Sequence, residues 1–482
     1  MEVTGRLYID GSWTEGAGKR FEQRNPARLP EVTGTWPEAT EAEVHKALAA
    51  AESAFREWSR APAVKRGDLF RKVLAGIDAR RDELAAALTA ENGKTLKDSH
   101  AEIQSGYREM EFQVGEGLRL NGRTTPSIRE GIFSYDVRVP LGVVSVVSPW
   151  NFPFNVPCRK ITPALMAGNT VVLKPASLTP RTGELFVDLF HEAGFPPGVI
   201  SFLTGSGRSV GSKLVTASEV RAVSFTGSTE VGVGIHKRAS GQMIRTQLEM
   251  GGKNALVVLA DADLEAAAEA AVTAAYTCAG QWCTATSRLI VEAPVYDQLL
   301  RRVVEKAKEL KIGDGTDPEA TMGPVCGSDQ VESIARYLEI GKSSGATVSL
   351  GGNVAKDGKL AEGCFIEPTI FSDVTRDMVI AREEIFGPVL SVIKAESLEE
   401  AIEITNESEY GLTSSVYTRD IERAMRFVTE VETGFTHINL MTSYREPQLP
   451  FGGVKMSGFG LPEAGSSGIE FFTEHKVVYI KQ

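Results

Sequence analysis

TVVLKPASLTPRTGELFVDLFHEAGFPPGVISFLTG occupies residues 170–205, and its order decides the fold. A short apolar strand, TVVLKP, is followed by a helix across 181–193 and then by a second strand, VISFLTG. Strands that alternate with helices at this spacing indicate a parallel sheet with crossover helices. The rhythm continues on the C-terminal side, where GSGRSVG (205–211) is a glycine-rich turn expected to open the next helix. RAVSFTG (221–227) then supplies another strand. On the N-terminal side, RVPLGVVSVVSP (138–149) reads as a strand pair leading into a buried strand. Residues 41–90 read as amphipathic helices, with alanine and leucine recurring at three- and four-residue intervals. After Gly251 a second series begins: NALVVLA, an alanine-rich helix, SRLIVEA, and later PVLSVIKA, a helix from Leu398, and SSVYT. The fold class is therefore α/β, with two α/β domains meeting near Gly251. A chain of 482 residues is also too long for one compact core.

Composition narrows the function. The chain has 52 basic and 63 acidic residues and a net charge of −11, which disfavours nucleic acid and anionic membranes as partners. No segment approaches the ~18 unbroken apolar residues of a membrane span, and the start, MEVTGRLYIDGSW, has no secretory pattern. Five cysteines at scattered spacings form neither a disulfide framework nor a paired zinc site, so no metal is expected. A reduced, cytoplasmic compartment fits this usage.

Single residues are ambiguous. FTGSTEVG (225–232) suits a pyrophosphate, because backbone N–H groups meet the helix dipole where a strand ends. It is neither GxGxxG nor GxxxxGK[ST], however, and alone it is more often a tight connection. Cys283 reads first as a small buried hydrophobe. Glu249 reads as a surface acid, Asn151 as a helix cap and Lys174 as a strand end.

Taken in order, SPWNFP, LKPAS, FTGSTEVG, LEMGGKN, GQWCT, EEIFGPV and PFGGVKMSG change that reading. They resemble, motif by motif, the NAD(P)-dependent aldehyde dehydrogenase superfamily. The resemblance implies a Rossmann-like cofactor domain (1–119 and 141–251), a catalytic domain (252–455) and a small β oligomerisation arm (120–140 and 456–482). It implies that Cys283 attacks the aldehyde carbon to form a thiohemiacetal, and that Cys278 is structural. Asn151 and the Cys283 N–H would hold the oxyanion, a contribution worth roughly 3–4 kcal/mol per donor in comparable sites. Hydride loss to the nicotinamide leaves a thioester, and Glu249 activates the water that hydrolyses it. The separation, 283 − 249 = 34, agrees with the family pattern. Relatives that pass the acyl group to coenzyme A generally lack that glutamate, so hydrolysis to a free acid is implied.

Cofactor contacts carry over to Lys174 (adenosine ribose), Gly227, Ser228 and Gly232 (pyrophosphate turn) and Glu384 (nicotinamide ribose), with Trp150 and Phe386 beside them. Members restricted to NAD usually have a glutamate three residues beyond the lysine. Here Ser177 stands there, so either NAD or NADP is expected. Arg159, in NVPCRK, matches the arginine that holds the distal carboxylate in succinate semialdehyde dehydrogenases. A guanidinium suits a planar carboxylate through two parallel bonds. The plainer alternative pairs it with an acid of the fold. Arg445 lies in the variable loop before the last motif, and Phe152 and Trp282 would line the substrate tunnel. The expected substrate is a small ω-oxo acid such as succinate semialdehyde or 2-oxoglutarate semialdehyde. The alternatives are a broad-range or aromatic aldehyde dehydrogenase, or a catalytically silent structural member. A homodimer or homotetramer is implied.

Overall fold

The computed structural model describes residues 2–482. Two sheets organise it. The first has eight strands in the order Gly458–Phe459, Arg245–Glu249, Val220–Thr226, Val143–Val147, Thr170–Lys174, Ile200–Phe202, Leu7–Ile9 and Ser12–Thr14. Its five central strands run parallel, and the outer ones are antiparallel additions. Val143–Val147 and Thr170–Lys174 are almost wholly buried, as expected of strands covered by helices on both faces. The helix Pro180–Ala193 is the crossover between Thr170–Lys174 and Ile200–Phe202. Proline occupies its first turn, and Gly194 closes it in the left-handed conformation (φ +81°).

The second sheet has seven strands, ordered Thr347–Leu350, Thr369–Ser372, Val389–Ala395, Arg288–Glu292, Ala255–Val258, Thr413–Tyr417 and Phe435–Ile438. All neighbours are parallel except the first pair. Each large sheet has its own hydrophobic core: Val144, Val171, Phe186 and Phe202 in one, Leu256, Ile290, Val392 and Phe427 in the other.

Two readings need correction. GSGRSVG opens only a wide turn, Gly207–Gly211, and three helical residues, Ser212–Leu214. Glu38 explains part of this: its carboxylate accepts from the Ser206 N–H (3.1 Å) and from the Ser209 hydroxyl, holding the turn open. The helical region also continues beyond 90, through Leu96–Leu118, the longest helix in the chain. Segment 456–482 divides among three places. Gly458–Phe459 joins the first large sheet, Gly465–Glu470 is a short helix, and Thr473–Lys481 pairs with Ile132–Pro140 in a separate three-stranded sheet. Among the described residues, no helix is long and apolar enough to cross a membrane, and no cluster of side chains is suited to a metal ion.

Candidate active site

A cavity of about 200 Å³ opens where the two sheets meet, at the C-terminal ends of the central strands. Trp150, Asn151, Gly227, Ser228, Cys283, Glu384 and Phe386 all line it. A second cleft, of about 430 Å³, is bordered by Val147, Gly207, Gly211, Val231 and Ile235. The first turns of helix Thr229–Ser240 border the second cleft, and its cap, Ser228, borders the first. A helix N-terminus between two clefts at strand ends suits a dinucleotide phosphate.

Glu384 and Phe386 come from the loop before strand Val389–Ala395. The Glu384 carboxylate accepts from the Gly252 N–H (2.8 Å), and burial pushes it up to about 7, against the pull of Gly252 and Lys253. Glycine at 251 leaves room for this carboxylate, because a Cβ there would lie 2.2 Å from Glu384 Oε2 and displace it. Phe386, at φ +55°, turns its ring edge-on to Trp150, with centroids 5.4 Å apart. Lys174 is buried and donates to the Pro175 carbonyl (2.8 Å); burial lowers it to about 8, while Glu38 favours its charge. Ser177 donates to the Gly205 carbonyl (3.1 Å). Gly232 lies inside the helix and does not line the cavity: a Cβ there would meet Met250 Sδ at 2.5 Å.

Cys283 is presented by an unusual turn. Helix Leu264–Tyr276 ends, and Cys278, Ala279 and Gly280 follow in the left-handed region (φ +54°, +54° and +68°). Cys278 is buried there, and burial holds its thiol well above the ordinary range. Asn254 Nδ2 then clamps the Cys283 and Ala285 carbonyls (2.7 and 2.8 Å). Cys283 borders the cavity while packing against the small apolar cluster of Leu412, Phe451 and Ala464. Burial pushes its thiol up to about 12; Arg159 and Arg445 pull it down, and Glu249 and Glu384 oppose them. Asn151 is buried, and its Nδ2 donates to the Gln281 carbonyl (3.1 Å).

Glu249 ends strand Arg245–Glu249 and is 4% exposed, with Oε2 buried and unpartnered. Burial, reinforced by Glu463, raises its carboxyl well above the ordinary range, whereas Arg159 and Lys160 favour the carboxylate. Glu463 is the centre of a cluster that the sequence does not reveal. Its Oε2 accepts from Arg159 Nε (2.7 Å), and its Oε1 accepts from Lys160 Nζ. Lys160 also donates to Ser224 (3.0 Å). The plainer expectation for Arg159 is thus met through Nε, while Nη1 and Nη2 have no partner among the described residues.

The Arg159 guanidinium lies 3.9 Å above the Phe451 ring, and that of Arg445 lies 5.7 Å from it. Arg445 is tied down by Glu109, by Ser105 Oγ (3.0 Å) and by Asn155 Oδ1 (3.0 Å). With Phe435, Tyr444, Leu449 and Phe451 it lines a cavity of about 250 Å³. Phe152 and Trp282 pack on each other at 5.2 Å. Glu463, Lys160 and Glu109 carried no local signal: each is one charge in an ordinary stretch, and the Arg159–Glu463 partners are 304 residues apart.

Residues 13–478 match the aldehyde dehydrogenase family. The alpha-ketoglutaric semialdehyde dehydrogenase of Bacillus subtilis is 40% identical over 475 residues, covering 98% of this chain and 97% of the relative. The 2,5-dioxopentanoate dehydrogenase of Saccharolobus solfataricus is 42% identical, covering 97% of each. The vanillin dehydrogenase of Corynebacterium glutamicum is 39% identical over all of this chain and 98% of the relative. Among solved structures, betaine aldehyde dehydrogenase of Staphylococcus aureus in complex with NAD+ superposes with a TM-score of 0.97. It is 35% identical and covers 99% of this chain and 95% of that one. The chain belongs to the aldehyde dehydrogenase family. It is an NAD(P)-dependent oxidoreductase that converts an aldehyde to an acid.

Proposed function

We propose that the substrate is a small ω-oxo acid, with 2-oxoglutarate semialdehyde and succinate semialdehyde as the main candidates, and that the product is released by hydrolysis. The observation that carries this reading is the pair of guanidiniums, Arg159 and Arg445, against one ring, Phe451, which belongs to the small apolar cluster that Cys283 packs against. Two of the relatives above, named for 2-oxo semialdehyde oxidation, support it. The unpartnered Nη1 and Nη2 of Arg159 form a planar fork for a distal carboxylate.

In this reading Cys283 loses its proton to solvent, its thiolate sulfur bonds the aldehyde carbon as the C=O electron pair moves to oxygen, and Asn151 Nδ2 and the Cys283 N–H take that oxyanion. Lys174, Ser228, Glu384 and Phe386 would hold a dinucleotide, which would supply the hydride acceptor as the oxyanion collapses, its C–H bond breaks and the thioester is left. Glu249 then removes a proton from water, whose oxygen attacks the acyl carbon and breaks the C–S bond. Glu463 keeps Arg159 and Lys160 beside Glu249, so both cations favour its carboxylate. We also read the sheet of Thr473–Lys481, Ile132–Pro140 and Thr124–Thr125 as an oligomerisation arm, and the site as cytoplasmic.

A second reading has its own support. Each guanidinium already meets a carboxylate, Glu463 or Glu109, which favours a neutral or aromatic aldehyde. Arg159→Leu separates the two. If Arg159 holds a distal carboxylate, KM for the semialdehyde acids should rise about ten- to hundredfold, the ~1.5–3 kcal/mol of a charged hydrogen bond, while butanal is unaffected. An equal fall in kcat/KM for charged and neutral aldehydes would make Arg159 a structural residue and favour the second reading.

A further inference from the structure

We infer that Lys94 and Glu102, a buried ion pair that lines none of the cavities described above, are positioning residues that set the oxyanion-binding Asn151. The inference rests on the reading of Asn151 given above. Lys94 lies between helices Arg81–Asn92 and Leu96–Leu118, and Glu102 lies on the second of them. Their side chains are 1% and 0% exposed. Lys94 Nζ donates to Glu102 Oε2 (2.6 Å) and to the backbone carbonyl of Asn151 (2.7 Å). The other oxygen of Glu102 accepts from the N–H groups of Phe154 (2.9 Å) and Asn155 (3.1 Å). Asn92 Nδ2 adds a bond to the Trp150 carbonyl (2.9 Å).

Side chains from 92–102 therefore grip the backbone of 150–155 at four points, one before the Asn151 side chain (the Trp150 carbonyl) and three after it. The grip is local in its purpose. Residues 150–154 belong to no strand or α-helix, and Phe154, the cap of helix Asn155–Met166, has no side chain able to bond the first N–H groups. Glu102 does so instead. The same ammonium stands 4.2 Å from the centre of the Phe152 ring, which in turn packs on Trp282 beside Cys283. One cation thus fixes both the backbone of the oxyanion donor and the aromatic wall next to the nucleophile.

A buried ion pair is a poor way to gain stability, because desolvation of both charges offsets most of their attraction, and apolar residues of similar volume often do better. Position explains the pair better than stability does. An oxyanion donor acts only when its N–H is held where charge develops, and a displacement near 1 Å can cost on the order of a hundredfold in rate. Burial works against the Lys94 charge, but Glu102 and neighbouring acids more than offset it, so the ammonium is retained.

The test is a stopped-flow measurement of the first turnover's NADH burst in the holoenzyme, with the NADH Kd and thermal midpoint as controls. Lys94→Met alone leaves Glu102 an unpaired buried acid. Lys94→Met/Glu102→Gln removes both charges and keeps an acceptor for Phe154 and Asn155. The expected burst rate is lower by on the order of a hundredfold, with the NADH Kd changed by no more than about twofold. Adding Asn151→Ala should then cost no more than about threefold, against roughly hundred- to thousandfold in the wild type. A folded pair variant with a burst within about threefold of wild type overturns the inference. So does a full Asn151→Ala penalty in that background. If the pair variant does not fold, Lys94→Gln, which keeps a neutral donor, carries the same readouts. If Asn151→Ala leaves the wild-type burst unchanged, the oxyanion reading itself falls. If it slows the burst while the pair variant does not, only the positioning role falls.

Discussion

At the scale of single residues, the division of labour between Cys283 and Glu249 gives the sharpest expectation. Cys283→Ala should abolish NAD(P)H formation while leaving NADH binding intact, as judged by fluorescence titration. Glu249→Gln should leave a stoichiometric burst and stall the hydrolytic step, so that pre-steady-state and steady-state rates separate. The pH profile follows from the same carboxyl. Burial and Glu463 raise Glu249 well above the ordinary carboxylate range, and a base acts only after losing its proton. Steady-state turnover should therefore rise with pH through an ionisation well above 4.5, the ordinary glutamate value, and Glu249→Gln should lack that ionisation. A wild-type profile flat from pH 5 to neutrality would contradict the assignment. Ser177 makes a second case. Its hydroxyl bonds Gly205 and leaves no carboxylate at that position, so Ser177→Glu should lower kcat/KM with NADP more than with NAD. Equal loss with both would show that residue 177 does not read the 2′-phosphate.

At the scale of elements, the turn 278–280 shows what presenting the nucleophile requires. Two non-glycine residues at positive φ cost on the order of 1–3 kcal/mol each, and they place Cys283 at the cavity instead of continuing the helix. Gly280 has no alternative side chain, because a Cβ would lie 2.3 Å from the Gly387 carbonyl. Gly280→Ala should thus lose both stability, by more than ~1 kcal/mol in chemical denaturation, and burst rate. The parallel strands were legible because apolar β-branched runs alternate with helical periods; Thr170–Lys174 and Pro180–Ala193 lie within a residue of their expected places. The short outer strands Leu7–Ile9, Ser12–Thr14 and Gly458–Phe459 were not, since two or three residues carry no period. In the site, ordered motifs pointed to Trp150, Asn151, Cys283 and Glu384, which the fold brings to one cavity. The charges that tune them, Glu463, Lys160 and Glu102, were hidden because their partners are paired only by tertiary packing.

At the scale of the whole molecule, the small C-terminal sheet leaves one strand edge open. Thr473–Lys481 forms nine paired positions with Ile132–Pro140, yet lies at the edge of a three-stranded sheet. Directly opposed residues share a face, so Val478 with Tyr135 and Ile480 with Phe133 make one apolar face. Phe133 and Ile480 remain 42% and 45% exposed. On the opposite face Tyr479 is 74% exposed. A long apolar edge strand left open invites pairing with another chain. If this arm joins subunits, Phe133→Lys/Ile480→Lys should place like charges directly opposite each other and lower the mass measured by light scattering. The site residues lie in the two large sheets and their loops, so the dissociated form should still bind NADH. A variant that keeps the wild-type mass would assign assembly to another surface. One that loses mass and NADH binding together would show that the cofactor cleft depends on the neighbouring subunit.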